Sequence, residues 1–246
     1  MIWFQPLIRI LRNLYEGEGK HIKELNVCTY SSLETQEDIL QKITTFKELE
    51  ILRYSIVSKV QCKYNQLGEL SNLKHLAFDC NSSSLDDNTL LNILKGCGQK
   101  LKTLFIRYEE KKAQTPDTFT DISLRRIANL CPNLEKIHLH SKSSPLTTVT
   151  EETVNSLATL PNLEHLDLKG LPNINDSVIN VIRQCSRLKT LLLTDCQNVS
   201  NATFNAFVDL AKEKSTKKFR FSFSGTNVRI GRKKLPSNMM DCSERL

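Results

Sequence analysis

The stretch Leu160-Pro-Asn-Leu-Glu-His-Leu-Asp-Leu168 decides the reading of the whole chain, because it recurs. Cys131-Pro-Asn-Leu-Glu-Lys-Ile-His-Leu139 nearly repeats it. The shared core is L-x-x-L-x-L, with Ile, Val or Phe in place of some leucines. Its second anchor falls at Leu25, Leu52, Leu76, Leu104, Ile137, Leu166, Leu191 and Phe221, seven steps with a mean of 28 residues. Self-similarity at such a period means a solenoid, in which each unit covers the apolar face of its neighbour. Alternation of apolar and polar residues inside each copy implies a short strand with its leucines pointing inward. Parallel strands need a long crossover, so a helix is expected to return the chain along the outside.

The expected architecture is therefore an α/β leucine-rich-repeat solenoid of about eight units, with a parallel concave sheet and convex helices. The repeats are expected over 21–225. Residues 1–20 carry a helical stripe, Leu7, Ile10, Leu11 and Leu14, that predicts a capping helix for the first unit. Helix starts are expected at Asp86 or Asp87, at Thr150, at Asn175 and at Ser200, each before an apolar stripe. The second unit leaves room for little helix, and Glu109–Pro116 is expected as an exposed loop. Phe219, Phe221 and Phe223 alternate with polar residues and predict the last strand. Residues 226–246 read as a basic, flexible tail.

Of the 246 residues, 39% are hydrophobic and 25% charged, an ordinary globular balance. No run of 18 apolar residues exists, so no membrane span is expected. The apolar start is broken by Pro6, Arg9 and Arg12 and does not read as a secretory signal. None of the eight cysteines are spaced C-x-x-C, and several sit where a repeat closes, at Cys97, Cys131 and Cys185. They read as small buried hydrophobes of a reduced cytoplasmic or nuclear protein. The sequons at Asn81, Asn175, Asn198 and Asn201 then carry no glycan. Residues 211–246 hold 10 of the 34 Lys and Arg and 3 of the 27 Asp and Glu, so the whole net charge of +7 lies there. A neutral body argues against nucleic acid as the partner. The basic run suits an acidic partner or a nuclear import signal.

The repeat beginning Pro161-Asn-Leu-Glu-His-Leu-Asp-Leu168, with Ile174-Asn-Asp176, the stripe Val178, Val181, Ile182 and the closing Cys185, resembles the cysteine-containing repeat of F-box/leucine-rich-repeat proteins. Cys131-Pro132 matches the helix end of that subtype. The resemblance covers roughly residues 20–225. It implies that the repeats grip a protein substrate, while an F-box binds the Skp-type adaptor of a cullin ubiquitin ligase. About twenty residues precede the first repeat here, without the Leu-Pro opening or Val-Cys-x-x-Trp ending of an F-box, and Trp3 is the only tryptophan. The resemblance thus predicts the substrate arm of such a ligase, with adaptor and cullin joining if an F-box lies upstream. The alternative is an F-box-less assembly or adaptor protein, similar to the mitochondrial leucine-rich-repeat proteins associated with ATP synthase; the acid-free Met1–Tyr15 segment is faintly like a transit peptide.

Inward leucines leave the intervening strand residues on the concave face. Aligning the copies gives three rows, and from them come the candidate partner-binding residues Arg53, His75, Phe105, Arg107, His138, His140, His165, Asp167, Lys169 and Leu192. Phe105 and Leu192 are expected as exposed apolar anchors ringed by Arg53, Arg107 and Arg220, the composition of an interface centre. His138 and His140 share one side of a strand, with Asp167 expected beside His138. That set is a frequent metal-ligand or proton-relay combination, although polar residues facing solvent are its commoner meaning. No catalytic residue, cofactor or metal is assigned. Four of the five histidines lie in the rows, which predicts partner binding sensitive to pH between 6 and 7. No phosphate loop, nucleophile elbow or zinc signature is present, which favours a binding module over an enzyme.

Overall fold

The computed structural model describes residues 21–29, 33–56, 63–80, 85–108, 120–142, 148–230 and 235–243. The expected N-terminal capping helix and the loop after Tyr108 lie outside the described residues. Among the described residues, nine strands form one sheet in simple sequential order, every neighbour parallel. They are β1 (Glu24–Thr29), β2 (Ile51–Ile56), β3 (His75–Cys80), β4 (Thr103–Tyr108), β5 (Lys136–Ser141), β6 (His165–Lys169), β7 (Thr190–Thr194), β8 (Phe219–Ser222) and β9 (Met239–Asp241). The solenoid is the leucine-rich-repeat type that the periodicity requires.

The register is the one that the copies of the motif impose. Leu25 pairs with Leu52, then Leu76, Leu104, Ile137, Leu166, Leu191 and Phe221 follow strand by strand. From Leu52 to Phe221 each anchor is at most 1% exposed. Two residues on, Tyr54, Phe78, Ile106, Leu139, Leu168 and Leu193 form a second buried row. A one-residue slip would turn both rows to solvent, so burial alone pins the register. Phe204, Phe207, Phe219, Phe221 and Phe223 fill the core near β8, with ring centroids 5.6–6.0 Å apart.

The convex side carries α1 (Leu33–Ile43), α2 (Asp87–Cys97), the short α3 (Asp121–Leu124) and α4 (Ile127–Leu130), α5 (Glu151–Leu157), α6 (Val178–Gln184) and α7 (Asn201–Glu213). The second unit has a 3-10 segment, Tyr64–Glu69, in place of an α-helix. It lies so close to α2 that a Cβ on Gly96 would stand 2.2 Å from the carbonyl oxygen of Gly68. Only glycine fits that backbone-to-backbone approach. Three helix starts fall where expected: Asp86 accepts from the Thr89 amide, Thr150 from Glu152 and Ser200 from Ala202. The fourth comes later than expected: α6 is preceded by Ser177, which makes no side-chain cap bond, and Asn175 accepts from the Ser177 amide in the turn before it.

Asp87, the other candidate for the α2 cap, has a different task. Its carboxylate accepts from the Thr120 amide, the Thr120 hydroxyl and the Ser123 amide of the next unit. Asp121 repeats this on Thr150 and Thr153, and Asp176 on Ser200 and Thr203. Each acid thus braces the N-cap of the helix that follows. Burial would raise Asp87 and Asp176, but these hydroxyl and amide donors outweigh it and hold both carboxyls below their usual range.

The sheet runs on into the segment expected as the tail: β9 adds a ninth strand to β8, with the Cys242 amide donating to the Phe221 carbonyl at 2.8 Å. Asn238 fixes the entry to β9, its side chain donating to the carbonyls of Ala211 and Lys217. A three-residue strand held by backbone bonds and one asparagine leaves almost no hydrophobic pattern to read.

Candidate functional site

Strand alternation turns the polar positions of β1–β8 toward the concave face, in the three rows the alignment predicts. Ile51, His75, Thr103, Lys136, His165 and Thr190 make the first; Arg53, Ala77, Phe105, His138, Asp167 and Leu192 the second; Ser55, Asp79, Arg107, His140, Lys169 and Thr194 the third. The structure divides the ten candidates into two groups and a stray.

Arg53, His75 and Phe105, with Ile51, Ala77, Asp79, Thr103 and His138, line a shallow groove of about 470 Å³ over β2–β4. Phe105 is half-buried and forms its floor. Arg107 lies over the Phe105 ring, its guanidinium carbon 5.4 Å from the ring centre, and pairs with Asp79 at 3.1 Å. Arg53 is paired with Glu24. Arg220 does not belong to this ring of cations: it sits on β8, four strands and about 19 Å of sheet away from Phe105.

His138, His140, Asp167 and His165 form the second group, contiguous with the first through Phe105. The Phe105 ring centre is 5.5 Å from that of His138 and 5.2 Å from that of His140. Asp167, 5% exposed, places Oδ2 3.0 Å from His138 Nδ1, a hydrogen bond, and 2.9 Å from His140 Nε2, an ion-pair contact that lacks hydrogen-bond alignment. Burial opposes the charge on Asp167, yet the His138 hydrogen bond and the His140 contact prevail and hold its carboxyl well below the usual range. His165 stacks on His138 at 4.6 Å. Burial, with His138 beside it, pushes His165 down to about 4, out of the pH 6–7 window expected of the histidine rows. Burial and the cations Lys136 and Arg53 lower His75 as well. Arg107, His140, Asp167 and Lys169 border an adjoining hollow of about 360 Å³. The donor atoms of His138, His140 and Asp167 all lie within 4.8 Å of one another, close enough to share one cation.

Leu192 is the stray. Expected as an exposed anchor, it is 6% exposed. Its register is right, but the face around it is closed: Thr190, Thr194 and Ser222 are buried too, and Ser243, beyond β9, reaches Ser222 with the two hydroxyl oxygens 3.2 Å apart. Asp79 falls in the third row read from the sequence but is not among the ten candidates, since one acid at a strand position carries no signal until Arg107 is seen beside it.

Five of the described cysteines, Cys80, Cys97, Cys131, Cys185 and Cys196, are buried thiols. Desolvation pushes Cys97 and Cys196 up to about 12 and Cys185 to about 11, and raises Cys80 and Cys131 further still. They are packing residues without nucleophilic character. No helix among the described residues is long and apolar enough to cross a membrane.

No protein-family model matches the sequence, and no curated protein does. Among solved structures, the chain is similar to the yeast Rad7 and Elc1 complex, at 11% identity over 99% of this chain and 89% of that one, with a TM-score of 0.41. The leucine-rich repeat domain of the type III effector XopL is 15% identical over 95% of this chain and 80% of that one, with a TM-score of 0.49. A leucine-rich repeat protein of Leptospira interrogans is 15% identical over 86% of this chain and 49% of that one, with a TM-score of 0.45.

Proposed function

We propose that this chain is a protein-interaction module whose partner docks on the concave face over β2–β6. The observation that carries the reading is the continuous surface formed by the groove around Phe105 and the adjoining histidine cluster. It combines one half-buried aromatic, paired arginines and imidazoles, the composition of an interface centre bounded by charge. The reading assigns the chain no reaction.

The finer form of the proposal is substrate recognition for a cullin-type ubiquitin ligase, supported by the resemblance at Cys131-Pro132 and Ile174-Asn-Asp176. A Skp-type adaptor and cullin belong to the assembly only with an F-box. The test is affinity purification with mass spectrometry, comparing the wild-type chain with Phe105→Asp. The expected result is a protein set retained by the wild type and depleted about tenfold or more by the variant, a loss of ~1.4 kcal/mol. An identical set from both chains, with the variant folded by circular dichroism, overturns the concave-face reading. Adaptor and cullin within the set support the ligase form, and their absence when upstream coding sequence is restored removes it.

A further inference from the structure

We infer that His138, His140 and Asp167 form a site for one divalent transition-metal ion of the zinc class, open toward the concave face. Alternation on β5 points both imidazoles to the same side, and the β5–β6 register sets Asp167 directly beside His138. Asp167 Oδ2 stands 3.0 Å from His138 Nδ1 and 2.9 Å from His140 Nε2. Ligands of a tetrahedral zinc ion, at bond lengths of about 2.0–2.2 Å, are separated by roughly 3.4 Å. The two imidazole–carboxylate gaps therefore need to widen by only a few tenths of an ångström, and the two ring nitrogens, which lie within 4.8 Å of each other, to settle near the same separation, for the ion to enter among them. Two imidazoles and a carboxylate suit Zn²⁺, Co²⁺ or Ni²⁺ and disfavour Mg²⁺ and Ca²⁺, which take oxygen ligands.

Three further observations point the same way. His140 Nε2 is a buried polar atom with no hydrogen-bond partner, and a metal bond satisfies it. The rings are held in place by their surroundings: Phe105 packs on both histidines, and His165 stacks on His138. Such support around a site limits the reorganisation that binding demands. The nearest guanidinium, Arg107, is already paired with Asp79. Three protein ligands leave one coordination position for water or for a donor from a docked partner, and two of the three, His140 and Asp167, border the hollow shared with Lys169. The site stands whether or not the concave face binds a protein.

The experiment uses the untagged full chain, stripped with a chelator and titrated with Co²⁺ alone, then with Zn²⁺ in competition. The expected result is one Co²⁺ per chain with the intense visible absorption of four-coordinate cobalt, displaced by Zn²⁺, and a zinc-dependent rise in Tm. His138→Ala and His140→Ala should each weaken uptake about tenfold or more, and Asp167→Asn likewise. His138→Gln supplies the comparison if the alanine variant does not fold. Absence of stoichiometric uptake overturns the inference. So does uptake that survives in a folded chain carrying both His138→Ala and His140→Ala, which would place the ion elsewhere, at Cys28 or Cys242 for instance.

Discussion

At the residue scale, the same side-chain types serve opposite purposes according to the face they occupy. A cysteine inside a repeat is a small apolar filler whose hydrogen meets a backbone carbonyl, as Cys97 Sγ does with Ile93 at 3.2 Å. Cys28 is exposed and Cys242 half-exposed. Among the described cysteines, native-state alkylation at neutral pH should modify Cys28 and Cys242 first, and the five buried thiols only after denaturation. Peptide mapping checks this, and rapid native labelling of Cys97 or Cys131 would contradict their burial. Asp167 shows how far a residue's environment can depart from what its identity implies. The alignment placed it beside His138, but a strand aspartate normally faces water, and nothing in the sequence marks it as nearly enclosed.

At the element scale, three acids at or just before a helix start, Asp87, Asp121 and Asp176, tie one unit to the next. Asp176 accepts three hydrogen bonds from Ser200 and Thr203, at 2.9, 2.5 and 2.6 Å. Losing these charge-assisted bonds, and leaving an amide donor short of its partner, costs about 2 kcal/mol. Asp176→Ala should therefore lower the urea midpoint at pH 7. The pH dependence follows from the direction of the shift. A carboxyl whose folded-state pKa is depressed stabilises the fold fully above its unfolded value of about 3.9, and that stabilisation is lost as pH falls through the lower folded value. The gap between wild type and Asp176→Ala should thus be constant from pH 7 to 5 and narrow only in strong acid. A gap that closes by pH 5 would mean that the carboxylate charge is not what braces the repeats. Two of the hydroxyl partners, Thr150 and Ser200, read in the sequence as N-caps, whereas Thr120 shows its cap only in the structure. Their second bond, back to the preceding unit, is a relation between elements 24–36 residues apart that periodicity does not express.

At the scale of the whole molecule, each strand leans on two neighbours, so local stability should follow the depth of that support. β6 and β7 lie between fully buried rows, whereas β9 has three residues, none of them buried. Hydrogen exchange should show β6 and β7 amides among the slowest in the chain and β9 amides among the fastest. Uniform protection across β6–β9 would instead indicate that the C-terminal strand unfolds only with the body. The short strand also bears on function, since the segment after it reaches Ser222 on the concave side and helps close the face around Leu192. The concave surface is accordingly closed around β7 and open over β1–β6.

The sequence by itself determined the solenoid, the strand anchors, the register and the identity of every residue in the concave rows. Those properties follow from period-two alternation repeated every 28 residues or so, and local hydrophobic pattern is enough to impose them. Only the tertiary structure decided which row residues are open, which are paired and which share a charge. Phe105 stays accessible while Leu192, two residues of the same type of reading, is enclosed; Arg53 and Arg107 spend their charge on Glu24 and Asp79; His138, His140 and Asp167 converge on one oxygen. The physical reason is that exposure and electrostatic pairing depend on distances between residues about 25–30 positions apart in the chain. Those distances are set by how the repeats stack and by what crosses their face, and no single repeat encodes either.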